Sequence, residues 1–291
     1  MPVPVQVRLP AATRSGEGRG IMFQKLRRNL ERNLFGKDPH YEDPYGDPAE
    51  QYYARIYLKY IFEKIDAEFR HQQVKILDLG CHTGRLAVPL ARAGHVVTGI
   101  DSSRFHILRA REHAREAGVR CQFFSGDGFS YVRRVPPETF DLVLCTEVLY
   151  QRPDFRSCME KLFKAVRKGG LLATSHRTKF FYLSRAIRER DFQTAQSLST
   201  QSEGTLWNSY YNWQTPSELK ALYQDLGAEA ILLRPIGIFT GNGGDGMAKL
   251  FNLGEASVAE RETLFDIEAQ DCEEFAGIGR YLLAIGRKRE A

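Results

Sequence analysis

The sequence predicts an α/β fold built on a parallel sheet, and three observations carry that prediction. Residues 74–101, VKILDLGCHTGRLAVPLARAGHVVTGID, read as strand, glycine turn, helix and second strand, which is the spacing two parallel strands need for a crossover helix. Two more short apolar runs, FDLVLC at 140–145 and LLATS at 171–175, flank a segment of helical period. At 291 residues and 43% apolar composition, the chain is long enough to bury a full core as one domain with appendages.

Taken in order, residues 1–21 are rich in Pro, Gly and Arg without hydrophobic period and are expected to form a disordered arm, with Met22 as an alternative start. Residues 1–37 hold eight Lys or Arg against Glu17 and Glu31, so the formal net charge of +5 belongs to the arm. The rest is near neutrality, a poor nucleic-acid groove, whose affinity would come from phosphate neutralisation. Residues 22–35 put Met22, Phe23, Leu26, Leu30 and Leu34 on one helical face, which predicts a helix packed on the body, on a partner subunit or homodimer mate, or weakly on an anionic membrane surface. The segment to residue 48 carries three prolines and reads as a linker. One domain is expected over 49–291, opening with a helix at 49–70 that sets Tyr53, Ile56, Tyr60 and Ile61 on one side.

The turn after the first strand carries the chemistry. Asp78 precedes Gly80 by two residues, and Gly80 and Gly84 bracket Cys81, His82 and Thr83. The dinucleotide pattern Gly-x-Gly-x-x-Gly does not fit, which makes a nicotinamide-linked oxidoreductase a remote alternative. An acid at 78 repels a pyrophosphate but accepts a hydrogen bond from an ammonium group, and Asp101, about 20 residues on, suits a ribose.

Asp78-Leu-Gly80-Cys-His-Thr-Gly84 with Asp101 resembles the S-adenosylmethionine motif of class I, Rossmann-like methyltransferases. The resemblance implies that cofactor, with its methionine end cradled by the turn and its ribose on Asp101 and Ser102. His82 stands where the family usually has glycine. It is either a mild structural substitution in a left-handed backbone or a group that touches the cofactor carboxylate or the substrate.

Beyond a polar helix at 104–117 and a third strand at 119–124 comes Gly126-Asp127-Gly128, whose acid the resemblance assigns to the adenine amino group. Strand four runs into Thr146, Glu147 and Tyr150, which should face the transferred methyl because ligands gather beyond the carboxyl ends of parallel strands. Tyr150 flanks the sulfonium or seals the pocket. A helix at 154–167, the stop Lys168-Gly169-Gly170 and strand five at 171–175 extend the resemblance over 74–175. His176 follows at once, as a general base or only a substrate contact.

Residues 177–214 read as a lid-like insertion after the fifth strand, with an irregular helix at 180–191, a polar loop at 194–204 and an aromatic wall of Trp207, Tyr210, Tyr211 and Trp213. Tyr53 joins that wall, and Tyr41, Tyr45 and Tyr52 are further cover candidates. Thr215-Pro216-Ser217-Glu218 is a capping box. Strands at 230–235 and 280–286, a flexible glycine-rich loop at 241–246 and an acidic helix at 258–275 finish the chain. The resemblance completes a seven-stranded, mostly parallel sheet with its last strand antiparallel and helices on both faces.

Five scattered cysteines without a Cys-x-x-Cys pair predict reduced thiols in a cytoplasmic protein and no metal. No apolar run approaches the roughly 18 residues of a membrane span. The expected function is methyl transfer to an oxygen or nitrogen of a small or medium metabolite. A non-catalytic, partner-binding relative stays open, and an RNA or protein methyltransferase is less favoured.

Overall fold

The computed structural model describes residues 45–240, 251–270 and 273–290. The arm at 1–21, the helix and partner surface expected at 22–35, Tyr41 and the glycine-rich loop at 241–246 lie outside the described residues.

Helix α1 (Pro48–Phe69) starts where Asp47 Oδ1 accepts the N–H groups of Ala49 and Glu50, both at 2.9 Å, and a proline occupies its first turn. It buries Tyr53, Ile56, Tyr57, Tyr60, Ile61 and Ile65 on one stripe, each worth about 1.5–3 kcal/mol of transfer free energy, so α1 is docked on the sheet. The central unit follows as β1 (Lys75–Leu79), α2 (Ala87–Arg92) and β2 (Val96–Asp101). Then come α3 (Arg104–Glu116), β3 (Gln122–Ser125), α4 (Gly128–Arg134), β4 (Phe140–Cys145), α5 (Phe155–Ala165) and β5 (Val166–Arg177).

Beyond β5 the chain forms α6 (Lys179–Arg188), α7 (Phe192–Thr200) and a hairpin of β6 (Glu203–Leu206) and β7 (Ser209–Asn212) before returning through α8 (Pro216–Asp225) and β8 (Ala228–Ile236). Helix α9 (Val258–Glu268) and β9 (Tyr281–Lys288) complete it. The main sheet has seven strands in the order β3-β2-β1-β4-β5-β9-β8. Six run in one direction, and only β9 is reversed, antiparallel to both β5 and β8. Residues of α1, α2 and α3 form the core on one face, and those of α4, α5 and α8 the core on the other. No described helix is long and apolar enough to cross a membrane.

Several boundaries differ from expectation. The polar stretch expected as a loop at 194–204 is mostly helix α7, because Asp191 accepts the Thr194 N–H at 3.0 Å as its cap and Ala195 and Leu198 bury one turn apart. Strand β5 begins at Val166: Lys168-Gly169-Gly170 forms an irregularity within the strand, where Gly169 has φ 69, rather than a helix end. The β6–β7 hairpin turns at Trp207-Asn208, both left-handed at φ 48 and 64, without the Asn-Gly signature that announces such a turn. Helix α9 stops at Glu268, short of the expected 275, and a separate short turn covers Glu273–Phe275. The capping box at Thr215 and Glu218 forms as expected, with each side chain bonded to the other's backbone.

Candidate active site

The carboxyl ends of β1, β2, β4 and β5 converge on one rim. Register places Asp78 of β1 opposite Gly99 of β2 and Leu144 of β4, so its side chain is only 1% exposed, and Oδ2 has no hydrogen-bond partner. Burial pushes the Asp78 carboxyl up to about 7, partly countered by Arg85 and reinforced by Asp101. A buried acceptor without a donor is costly. A ligand cation with N–H groups would relieve that cost.

Gly80 turns the chain at φ 80, and a Cβ there would collide with Val148 Cγ2. The Gly80 and Cys81 N–H groups donate to Ile100 O at 2.8 and 3.0 Å, and Gly84 N–H closes the turn on Cys81 O at 2.8 Å. His82 adopts the left-handed conformation, φ 49, at a cost of about 1–2 kcal/mol. Two contacts offset it: the His82 N–H donates to Asp101 Oδ2 at 3.0 Å, and its ring lies 3.6 Å from that of His106. Asp101 Oδ1 accepts the Ser103 N–H at 2.8 Å and faces His106 Nδ1 at 3.0 Å. Burial works against Asp101, but the His106 and Ser103 hydrogen bonds outweigh it and hold its carboxyl below the usual range. Ser102 beside it is exposed, whereas Cys81 and Thr83 are buried and Thr83 Oγ1 has no partner.

Gly126, Asp127 and Gly128 stand at the end of β3 on the same rim. Asp127 is exposed and caps α4, its Oδ1 accepting the Ser130 N–H at 2.6 Å, and hydrogen bonds from the Ser130 side chain first and its backbone second hold the carboxyl low. A carboxylate has further lone pairs, so the cap leaves capacity for a ligand donor. Thr146, just beyond β4, is buried, and Glu147 follows with φ 61. The Glu147 N–H donates to Ser175 Oγ at 2.8 Å. Its carboxylate pairs with Arg85, whose second terminal nitrogen pairs with Glu50 of α1. Burial opposes ionisation of Glu147 and Arg85 overcomes it, whereas Glu50 is pushed up by burial and by Glu147. Glu147 therefore latches α1 to the glycine turn through Arg85.

Beyond the end of β4, Tyr150 lies parallel to Tyr211 at 6.4 Å and 6.1 Å from Tyr281. Tyr211 reaches Trp207 at 6.4 Å and Tyr182 at 5.4 Å. Arg177 sits against Tyr281, Phe181 and Tyr150, and Arg280 against Tyr53. Tyr53, Tyr150, Tyr211 and Trp207 thus share one cluster. Two aromatics expected in the wall are placed differently, although Trp213 meets Tyr182 edge-on at 5.8 Å. Tyr210 turns to the other side of the hairpin, its hydroxyl donating to Glu203, and Trp213 is buried in the insertion's own core with Nε1 donating to Gln201 O at 2.6 Å. Of the cover tyrosines, Tyr45 stacks on His113 and Tyr52 meets the edge of Phe265.

His176 requires correction as a candidate base. Strand alternation sends it to the sheet face opposite the glycine turn, against Phe155 of α5. Tyr223 O–H donates to Ala284 O at 3.0 Å and so accepts from Thr174, which leaves Thr174 Oγ1 to accept from His176 Nε2–H at 2.9 Å. Burial pushes the imidazole down to about 3, and it stays neutral in the core.

The residues that do face the site from β5 are Ser175 and Arg177. Period-two alternation through Leu171, Ala173, Ser175 and Arg177 was the available signal, since Leu171 and Ala173 pack on the α1 side. Arg85, directly after Gly84, and Glu50 carried no local signal, because their pairing joins positions 35 apart in sequence.

A family model described as a methyltransferase domain matches residues 70–224. The ubiquinone biosynthesis O-methyltransferase of Vibrio cholerae is 34% identical over 113 residues, 39% of this chain and 44% of that protein. The protein of the same name from Rickettsia canadensis is 28% identical over 178 residues, 60% of this chain and 71% of that one. The chain spans about half the length of the first of these curated relatives. Magnesium protoporphyrin IX methyltransferase from Synechocystis PCC 6803, solved with bound SAH, superposes with a TM-score of 0.54 at 14% identity over 92% of this chain and 96% of that one, which is likeness of fold. The matched span begins where α1 ends and holds the glycine turn, Asp78, Asp101, Asp127 and all of β5. The chain belongs to the methyltransferase-domain family, with the class I, Rossmann-like architecture of S-adenosylmethionine-dependent methyltransferases.

Proposed function

We propose that this chain transfers a methyl group from S-adenosylmethionine to an oxygen of a small-molecule acceptor. The observation that carries the reading is Asp78, a buried carboxylate with an unpartnered oxygen at the head of a glycine turn and on one rim with Asp101. That constellation fits the cofactor: an ammonium group would supply the missing donor to Asp78, ribose hydroxyls would reach Asp101, and Asp127 would accept from an adenine amine. The curated relatives' O-methyltransferase names favour oxygen over nitrogen as the acceptor atom.

The cofactor supplies the electrophilic methyl. In-line displacement asks the protein chiefly to hold the acceptor collinear with the breaking bond and to exclude water. Tyr150, Tyr211, Tyr281 and Phe181 supply flat apolar surfaces for that purpose. His176 faces away and removes no proton from the acceptor.

Calorimetric titration with S-adenosylhomocysteine tests the reading. Micromolar binding that weakens at least tenfold in Asp78→Asn and in Asp101→Asn is expected. Equal affinity in wild type and both variants would overturn it.

A further inference from the structure

Arg177, at the end of β5, is 7% exposed, and neither Nε nor Nη1 has a hydrogen-bond acceptor. Among the described residues no carboxylate pairs with it, and Glu147, whose field it feels, is committed to Arg85. The rings of Tyr281, Phe181 and Tyr150 lie 4.0, 4.3 and 5.0 Å from the guanidinium carbon. Cation–π attraction of about 0.5–2 kcal/mol offsets part of the cost of burying the charge, but rings accept none of the unmet N–H groups. A fold that needed only a pillar among these rings would be served by an uncharged side chain.

Arg280 brings a second guanidinium to the same cluster, 5.6 Å from the Tyr281 and Tyr53 rings. Two buried cations thus stand among aromatic faces at the rim next to the glycine turn.

We propose that the methyl acceptor is an aromatic carboxylic acid whose carboxylate is held by Arg177, with Arg280 in support and its ring against Tyr150 and Tyr211. This deepens the methyltransferase reading and rests on it for the identity of the bound molecule as acceptor. A monoanion suits the site better than a phosphate dianion, because the ionised Glu147 nearby repels a second negative charge. Arginine binds carboxylates through charge-assisted N–H donors, and Nε and Nη1 of Arg177 are two such donors left unmet.

The test is titration of the full chain with benzoate and 4-hydroxybenzoate, with their neutral amides of the same shape, and with phenyl phosphate, each with and without S-adenosylhomocysteine. The acids are expected to bind at least tenfold more tightly than the amides, and more tightly than phenyl phosphate. Arg177→Gln and Arg177→Met should erase that preference while leaving S-adenosylhomocysteine affinity within twofold. Because an unpaired buried charge is removed, Arg177→Met should melt at the same temperature as wild type or higher.

Equal binding of acids and amides, no saturable binding of either acid up to millimolar concentration, or tighter binding of phenyl phosphate overturns the proposal. A fall of several degrees in Arg177→Met does the same, by making Arg177 a structural pillar. Failure of S-adenosylhomocysteine to bind wild type would count against the cofactor reading alone, since the acid-against-amide comparison without it still reads Arg177.

Discussion

At Asp78 the requirements of folding and of binding oppose each other. Its carboxyl titrates near 7 in the native protein against an ordinary 3.8, so between those values the native state holds a proton that the unfolded chain has released. Stability from this group is therefore lost as pH rises from about 4 to 7. Asparagine keeps the shape without the charge. At pH 8, Asp78→Asn should unfold at higher denaturant concentration, by on the order of 2–4 kcal/mol at about 1.4 kcal/mol per pH unit, while losing cofactor affinity. In wild type, S-adenosylhomocysteine should bind more tightly at pH 8 than at pH 6, a trend absent in the asparagine variant. His176 gives the opposite sign. Its native value near 3 lies below the ordinary 6.5, so the unfolded chain takes up the proton first, and the stability it contributes is present above about 6.5 and drains away as pH falls toward 3. His176→Gln retains a donor for Thr174. It should keep turnover within about threefold and shift the acid-unfolding midpoint to lower pH, whereas a catalytic base would lose orders of magnitude.

Helix α1 is joined to the rim that carries the glycine turn by one guanidinium between two carboxylates. Glu50, Arg85 and Glu147 side chains are all under a fifth exposed, so breaking the group from its centre leaves the Glu147 charge buried without its ion-pair partner. Arg85→Met should cost about 3–5 kcal/mol, measured by denaturant unfolding. Glu50→Gln should cost clearly less, because the Glu50 carboxyl is already pushed toward its neutral form. Adding Glu147→Gln to Arg85→Met should recover part of the loss; a double variant as unstable as the sum of its parts would show that the three do not act as a unit. This element-scale feature was not legible in the sequence. Arg85 is one of many charged residues in a helical-looking stretch, and only the docking of α1, driven by its buried tyrosine and isoleucine stripe, brings Glu50 to it. What was legible at this scale had a short-range cause: the glycine turn, the Thr215 capping box, and strands whose apolar runs are buried on both faces. Helix α7 and the β6–β7 hairpin were missed because a polar helix held by one cap and two buried residues, and a turn at Trp207-Asn208, have weak local signatures.

Across the whole molecule, the sheet order follows from the alternation of strands and helices with right-handed crossovers, which is why the central parallel sheet could be read from residues 74–175. Of the aromatic cluster proposed for the acceptor, the sequence offered Tyr53, Tyr150, Trp207 and Tyr211 but not Arg177 or Tyr281. That cluster is assembled from Tyr53, Tyr150, Arg177, Tyr211 and Tyr281, which span most of the chain and meet only when β9 inserts between β5 and β8. The insertion after β5 has a core of its own, with Phe181, Tyr182, Ala186, Leu198, Leu206 and Trp213 packed together apart from the two sheet-facing cores. Its ties to the body include Asn212 Nδ2 donating to Leu149 O at 2.8 Å and Gln214 N–H donating to Arg177 O at 3.0 Å. A small separate core with few ties opens at lower free energy than a central sheet. Amide exchange should therefore be faster across 181–212 than across β1, β4 and β5, with the insertion protecting and deprotecting as one unit. Because Tyr211 and Phe181 from the insertion and Tyr150 and Arg177 from the rim close on one another, an aromatic acid bound there should slow exchange in 181–212 more than in the sheet. S-adenosylhomocysteine should instead slow exchange first at the turn 80–84, where its methionine end is assigned. Uniform protection of sheet and insertion by either ligand would mean that the insertion unfolds with the body, and the acceptor side would then be a fixed wall of the fold.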